Sequence, residues 1–506
     1  MALAGNLDMA DHQRDGREGA AAAVRTVGML IGGHDVAASN RATFERYSPV
    51  SGDLVTVAAA AGADDASAAA NAAAAAFPEW SRSTPGHRRT LLERAAEIIL
   101  TRQSAFTATM LAETGATREW SAFNVGLAAK IFSEAAAATT QVGGAIIPTD
   151  LDGKTSFAWR QPAGVCLAIA PWNAPVILGV RSIAMALACG NTVVLKSSEL
   201  CPATHRLLGD VLQDAGFPDG VVNIVSNAPA DASAIMEALI AHPVIRRVNF
   251  TGSTRVGKII AQIAARYLKR CLLELGGKAA FIVLDDADLD EAVKAAAFGA
   301  YINQGQICMS TERIIVMDSV ADAFVEKFLA RARTLRAGDP TRGELPLGAL
   351  VTAESARRVR GLIDDAVAKG AVLLTGGENH DAMMDAAVLD HVARPMRLYR
   401  EESFGPVAAI IRVGSVEEAV TVANDCEYGL SGAVFGRDIG RALDVARRIE
   451  SGICHINSAT VADEPQVPFG GVKASGYGKF GGPAALDEFT ELRWITLSGG
   501  KEEYPI

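Results

Sequence analysis

Residues 245–259 read I-R-R-V-N-F-T-G-S-T-R-V-G-K-I. A short apolar run enters a glycine turn, and a helical stretch then runs to about Leu268. Gly252, four residues, then Gly257 and Lys258 nearly make a Walker A loop. Such a loop needs Ser or Thr next, because that hydroxyl holds Mg²⁺. Ile259 stands there instead. The stretch therefore reads as a strand–turn–helix unit whose helix N-terminus can take an anion without a metal. Lys258 reads as a solvent-facing helix lysine.

The same alternation extends outward from this unit. V-C-L-A-I-A (165–170), T-V-V-L-K (192–196) and G-V-V-N-I-V (220–225) are strand-like. Helical stretches at 175–188, 203–215 and 230–241 separate them, which predicts a parallel sheet with crossover helices. A second block follows. A-F-I-V-L (280–284), R-I-I-V-M (313–317) and V-A-A-I-I-R-V (407–413) alternate with helices at 290–300, 320–335, 353–368, 416–424 and 438–449. The expected fold class is α/β, with two doubly wound domains. The Ala-rich run 56–76, broken by Asp64 and Asp65, reads as a surface helix. Helical periodicity continues through 87–111. R-W-I-T-L (493–497) is a strand with no partner close in sequence, an edge that can pair with another subunit.

The chain has 506 residues, 49% hydrophobic and 21% charged, with net charge −10. That is globular composition with length for two or more domains. The acidic balance argues against nucleic acid or an anionic membrane as the main partner. The 7 cysteines are scattered with no C-x-x-C pair, so a zinc ribbon or thioredoxin-like motif is not expected, and no metal is predicted. Reduced thiols, an acidic N-terminus lacking an apolar core, and no long apolar run predict a cytoplasmic protein without a membrane span. Residues 1–23 read as a mobile tail.

Chemistry-bearing residues fall at strand ends and turns. Cys308, in N-Q-G-Q-I-C-M-S-T-E (303–312), is flanked by polar residues rather than by an apolar run. A turn cysteine can lose its proton and act as a nucleophile; the plain alternative is a small buried hydrophobe. Glu274, in L-L-E-L-G-G-K (272–278), is a carboxylate inside an apolar run. Burial would raise its pKa and suit it to general-base work, whereas pairing to Lys278 would make it structural. Asn173, in A-P-W-N-A-P, can donate to an oxyanion or simply make a turn. Lys196 and Glu199, in L-K-S-S-E, follow a strand end where a ribose commonly sits. Glu199 would accept ribose hydroxyls and repel a 2′-phosphate, favouring NAD over NADP; a solvated turn is the alternative. No G-x-G-x-x-G lies at a strand-to-helix turn.

Taken in order, A-P-W-N-A-P, L-K-S-S-E, F-T-G-S-T-R-V-G, L-E-L-G-G-K, G-Q-I-C, E-E-S-F-G-P-V (401–407) and P-F-G-G-V-K-A-S-G-Y-G (468–478) resemble the NAD(P)-dependent aldehyde dehydrogenase superfamily from about residue 28 to 499. The resemblance implies Cys308 as nucleophile. Asn173 and the Cys308 N–H would form the oxyanion site, and Glu274 would be the base for thioester hydrolysis. Lys196 and Glu199 would hold the adenosine ribose, Gly252 and Ser253 the pyrophosphate, and Glu402 the nicotinamide ribose. Phe404 and Trp172 would line the cofactor cleft. Members that pass the acyl group to coenzyme A tend to lack the Glu274 carboxylate, so a free acid is the expected product. The implied domains are 24–144 with 165–273 for NAD binding and 274–480 for catalysis. Residues 145–164 and 481–506 would form an antiparallel arm that joins a homodimer or homotetramer.

Within the family the resemblance is to members acting on aromatic aldehydes (salicylaldehyde, vanillin, benzaldehyde). Asn173, Ile177 and Arg181 are spaced by four and share a helix face that should line the substrate tunnel. Arg181 offers donors to an oxygenated ring, or pairs with a carboxylate elsewhere. Trp120 is a candidate to stack on the ring, or packs in the core. Ile307 and Met309 flank Cys308 and complete the expected substrate contacts. An aldehyde with a distal carboxylate is the alternative substrate. A non-catalytic binding protein on the same fold is the alternative of another class.

Overall fold

The computed structural model describes residues 24–150, 152–343, 345–500, 504 and 506. The expected tail, 1–23, lies outside the described residues.

The Ile245–Thr251 strand lies between Val165–Ile169 and Arg270–Glu274, parallel to both. Among the described residues these belong to an eight-stranded sheet. Its order is Gly476–Tyr477, Arg270–Glu274, Ile245–Thr251, Val165–Ile169, Thr192–Lys196, Val222–Val225, Met29–Ile31 and His34–Val36. The chain builds outward from Val165–Ile169 in one direction, then returns to build in the other. The order thus reverses between Val165–Ile169 and Ile245–Thr251, and a crevice opens at the carboxyl ends there. Every residue of Val165–Ile169 and Thr192–Lys196 is buried, as expected for strands covered on both faces. The crossover helix Pro175–Ala188 is buried along its whole length and begins with proline, whose fixed φ suits a first turn.

A second sheet of seven strands has the order Val372–Thr375, Ala387–Asp390, Val407–Val413, Thr311–Met317, Ala279–Val283, Ser431–Phe435 and Ile453–Ile456. Four of these escape sequence reading: Val372–Thr375, Ala387–Asp390, Ser431–Phe435 and Ile453–Ile456. Each has only four or five residues. In Ala387–Asp390 and Ser431–Phe435 small residues (Ala387, Ser431, Gly432) also blunt the apolar signal.

Two helix expectations are corrected. Residues Leu54–Ala59 are a strand paired with Thr43–Tyr47, and the Ala-rich helix starts only at Ala63. It lies at the surface, with Asp64, Ala68, Asn71 and Ala75 exposed and Ala66, Ala69, Ala70 and Ala73 fully buried on its other face. Alanine here permits close packing on the sheet rather than mere propensity. The 87–111 stretch is two helices, Pro85–Thr101 and Gln103–Thr114, broken at Arg102. The helix of the opening stretch spans Thr254–Arg266, and Lys258 on it is exposed, 3.7 Å from Glu427. Gly257, the second glycine of the near-Walker pattern, has a packing role. A Cβ there would lie 2.4 Å from the Leu275 side chain.

The terminal strand Thr490–Ser498 finds its partner within the chain. It pairs antiparallel with Lys154–Pro162, which also pairs with Gly144–Ile147. This three-stranded piece exposes Ile146 (74%), Trp159, Leu492, Trp494 (75%) and Leu497. No helix among the described residues is long and apolar enough to cross a membrane.

Candidate active site

The opening stretch and Glu274 are neighbours in register. Thr251 stands opposite Glu274 on the adjacent strand, and the Gly252 N–H donates to the Glu274 carbonyl at 3.0 Å. Glu274 is 1% exposed, and neither carboxylate oxygen has a well-formed hydrogen bond. A buried carboxylate in that condition is costly unless it works on something transient. Burial pushes its pKa up to about 7, a value suited to a base near neutrality. The Cys308 thiol couples to this carboxylate without forming a well-aligned hydrogen bond. Lys278, the alternative partner for Glu274, pairs with Glu312 instead at 2.7 Å, both fully buried.

Cys308 sits in a strained loop. Asn303 (φ 49, ψ 38) and Gln304 (φ 55, ψ 32) are left-handed, as is Gly305 (φ 69). Such residues persist only where neighbours fix them. Asn303 Nδ2 donates to the Asn173 carbonyl at 2.9 Å, Gln304 Nε2 to the Ala349 carbonyl at 3.1 Å, and Gln306 Oε1 accepts from the Val351 N–H at 3.0 Å. A Cβ on Gly305 would lie 2.2 Å from the Gly405 carbonyl, so only glycine lets the two loops approach. The loop leaves Cys308 partly exposed between the buried Ile307 and Met309. Burial, then the nearby Glu274 charge, pushes the thiol well above its ordinary pKa.

Asn173 follows the Val165–Ile169 strand and donates through Nδ2 to the Gln306 carbonyl at 2.9 Å. An amide has two such hydrogens, so one is left for a substrate oxygen. Trp120 is buried and stacked on Phe123 with centroids 5.4 Å apart. Its Nε1 donates to the Asn173 carbonyl at 2.9 Å. It thus braces Asn173 as well as packing in the core. Ile177 and Arg181 lie on the buried helix Pro175–Ala188, but Asn173 precedes it in the turn before the non-helical Ala174 cap, so the expected shared helix face holds for Ile177 and Arg181 and not for Asn173. Arg181 is paired: its Nη2 lies 2.7 and 2.6 Å from the two oxygens of Asp463, and its guanidinium lies 4.4 Å from the Phe469 ring centroid.

On the other side of the crevice, Lys196 Nζ donates to Glu199 Oε1 at 2.6 Å, and Asn227 Nδ2 donates to the same oxygen at 3.0 Å. Burial pushes Glu199 up, but the Lys196 charge and hydrogen bonds outweigh it and hold the carboxylate below its ordinary pKa. Ser197 Oγ and Asn227 Oδ1 nearby are buried without partners. Ser253 caps the Thr254–Arg266 helix, accepting the Val256 N–H at 3.4 Å, and is exposed. Unpaired polar atoms, an ionised carboxylate and a helix N-terminus fit a ribose and a pyrophosphate. Trp172 and Phe404 meet edge to face, 5.7 Å between centroids. Burial pushes Glu402 up to about 8, against the Gly277 N–H, which donates to it at 2.9 Å. Cys308 thus couples to Glu274, Asn173 reaches the Cys308 loop through the Gln306 carbonyl, and Lys196, Glu199 and Ser253 stand at or just past strand ends of the same eight-stranded sheet.

Sequence reading missed the supports. Glu312 accepts from the Ser403 N–H at 2.9 Å, the Phe404 N–H at 3.2 Å and the Ser403 hydroxyl at 2.6 Å. The buried Lys278–Glu312 pair thereby holds the 402–404 loop. Phe404 itself is left-handed (φ 46). Glu312→Gln should leave the Lys278 charge without its counter-charge and destabilise the fold by about 3–5 kcal/mol. Chemical denaturation monitored by fluorescence checks this. Asp463 and Asn227 were also missed, since each lies far in sequence from the group it holds.

The chain matches the Aldehyde dehydrogenase family over residues 36–495. It is 59% identical to vanillin dehydrogenase of Pseudomonas sp. strain HR199 over 480 residues, covering 95% of this chain and 99% of that protein. It is 50% identical to salicylaldehyde dehydrogenase of Pseudomonas sp. strain C18, covering 92% and 97%. The solved salicylaldehyde dehydrogenase from Pseudomonas putida G7, complexed with salicylaldehyde, superposes with a TM-score of 0.94 at 48% identity, covering 95% and 100%. With these likenesses spanning nearly the whole chain, and a cysteine, a buried carboxylate and an amide gathered at the sheet crevice, the protein belongs to the aldehyde dehydrogenase family.

Proposed function

We propose that this protein oxidises an aromatic aldehyde of the hydroxybenzaldehyde type to its carboxylic acid, with NAD as the oxidant. The observation that carries the reading is the partly exposed Cys308 thiol coupled to an otherwise unpartnered, buried Glu274. The Cys308 thiol loses its proton to solvent, the thiolate attacks the aldehyde carbon, and the carbonyl oxygen becomes an oxyanion. The free amide hydrogen of Asn173 and the Cys308 N–H stabilise that oxyanion. A nicotinamide held by the cofactor-binding residues would supply the hydride acceptor, so that the thiohemiacetal on Cys308 could become a thioester. Glu274 then takes a proton from water. The resulting hydroxide adds to the thioester carbon, and the C–S bond breaks to release the acid and the thiolate. Ile177, Ile307 and Met309 give the ring an apolar tunnel, with Trp120 and Arg181 behind it.

Domain roles follow the same division. Residues 24–144 with 165–273 serve the cofactor, 274–480 serve catalysis, and the 145–164 and 481–506 arm joins subunits into a dimer or tetramer. The exposed apolar residues of that arm favour an interface over a solvated surface. Lys196, Glu199, Gly252, Ser253, Glu402, Phe404 and Trp172 hold the cofactor. An ionised Glu199 at the ribose favours NAD over NADP. Glu199→Gln should raise NADP efficiency relative to NAD by about tenfold, roughly 1.4 kcal/mol. Initial rates with each cofactor check it.

An aldehyde bearing a distal carboxylate is the second reading, because Arg181 suits one. The Asp463 pairing weighs against it. The deciding measurement is kcat/KM for vanillin, salicylaldehyde, benzaldehyde and succinic semialdehyde with NAD. A strong preference for the last overturns the aromatic reading.

A further inference from the structure

The Arg181–Asp463 pair stands where charge matters. Its side chains are 6% and 10% exposed, and both charges are felt at Glu274, Arg181 lowering its pKa and Asp463 raising it. The two charges therefore act on the base in opposite directions. Toward a substrate the pair is not neutral in consequence. A cavity beside Arg181 is lined by Glu134, Met185, Glu464 and Phe469. An aldehyde carrying a carboxylate would meet a guanidinium already engaged by both oxygens of Asp463, with Glu134 and Glu464 as further like charges. A phenol or methoxy oxygen needs only one of the remaining guanidinium hydrogens, of which arginine has five in all.

We propose that Asp463 is a specificity-determining residue that makes the substrate tunnel refuse carboxylated aldehydes by cancelling the charge of Arg181. The inference rests on the aromatic reading for its biological sense, yet it predicts a charge effect that any parent preference leaves measurable. Removing one partner unmasks the other, so the two single variants must act in opposite directions.

The test compares benzaldehyde with 4-carboxybenzaldehyde, which share a ring and differ by one carboxylate. The kcat/KM ratio of the carboxylated to the plain substrate is measured for the parent, Asp463→Asn, Arg181→Ala and the double variant. Asp463→Asn should raise the ratio about tenfold, mainly through a lower KM for the carboxylated substrate. Arg181→Ala should lower it by a similar factor, and the double variant should lie near the parent. The amplitude of the NADH burst counts competent sites, so misfolded protein does not enter the ratio. If Asp463→Asn does not fold, the Arg181→Ala ratio decides alone. A ratio within about twofold of the parent, or both single variants moving it the same way, overturns the proposal. A parent that prefers succinic semialdehyde to vanillin sinks the aromatic reading and the refusal together, whereas a parent that prefers vanillin but shows a flat ratio across the variants sinks the Asp463 proposal alone.

Discussion

Cys308→Ala should abolish NAD-dependent aldehyde oxidation, with a fall in kcat on the order of 10⁴-fold or more, as when a covalent nucleophile is removed from a coupled set. No other described cysteine can stand in. Cys166, Cys189 and Cys201 are buried. Cys271 and Cys454 lie within strands, opposite Val248 and Gly432, and neither couples to Glu274 as Cys308 does. Cys426 accepts from the Arg313 guanidinium at 3.4 Å, within the second α/β unit. Cofactor binding should survive, because Lys196, Glu199 and Ser253 belong to other strand ends. Fluorescence titration with NADH checks binding, and a stopped-flow assay checks for the burst. Residual turnover above about one per cent of the parent would show that another group takes the aldehyde. Protection of the parent from iodoacetamide by bound aldehyde is the matching chemical result.

The fold was legible because buried parallel strands announce themselves. V-C-L-A-I-A, T-V-V-L-K and I-R-R-V-N-F each carry enough β-branched and aliphatic residues to stand out, and each ends in a turn signal: Pro171, the polar S-S-E, and Thr251–Gly252. Ser431–Phe435 did not, because Gly432 and Ala433 carry little apolar signal yet pack at a strand crossing that only tertiary contacts create. The Ala-rich segment misled for the opposite reason. Alanine's helix propensity extended the predicted helix backward over 56–59, part of the Leu54–Ala59 strand, where pairing with Thr43–Tyr47 overrides it. The site was legible through its reacting groups, since a cysteine in a polar turn and a carboxylate in an apolar run are locally anomalous. Their supports were not. Asp463 is 282 residues from Arg181, and Ser403 is 91 from Glu312, so no spacing rule links them. The resemblance to the aldehyde dehydrogenase family held over the chain. It favours the nucleophile reading that local anomalies alone left open against a buried thiol.

Glu274→Gln separates the two half-reactions, and it should do so in a way that a merely structural carboxylate would not. In the parent, burial first and the Glu274 charge next raise the Cys308 thiol. Replacing the carboxylate by a neutral amide removes that second influence. The thiol pKa should fall, and alkylation of Cys308 by iodoacetamide at pH 7 should quicken. The first half-reaction, which needs the thiolate, should therefore keep its full NADH burst. The second needs a base for water, and steady turnover should drop by about 10²–10⁴-fold. The pH dependence follows from the same carboxylate. Its raised pKa of about 7 means it is protonated, and useless as a base, on the acid side. Parent kcat should accordingly fall as pH drops through that value, where thioester hydrolysis limits the rate. In Glu274→Gln that acid limb should vanish from the residual rate. Burst and turnover declining together, with alkylation no faster, would mean that Glu274 serves the fold or the first attack rather than the hydrolytic water.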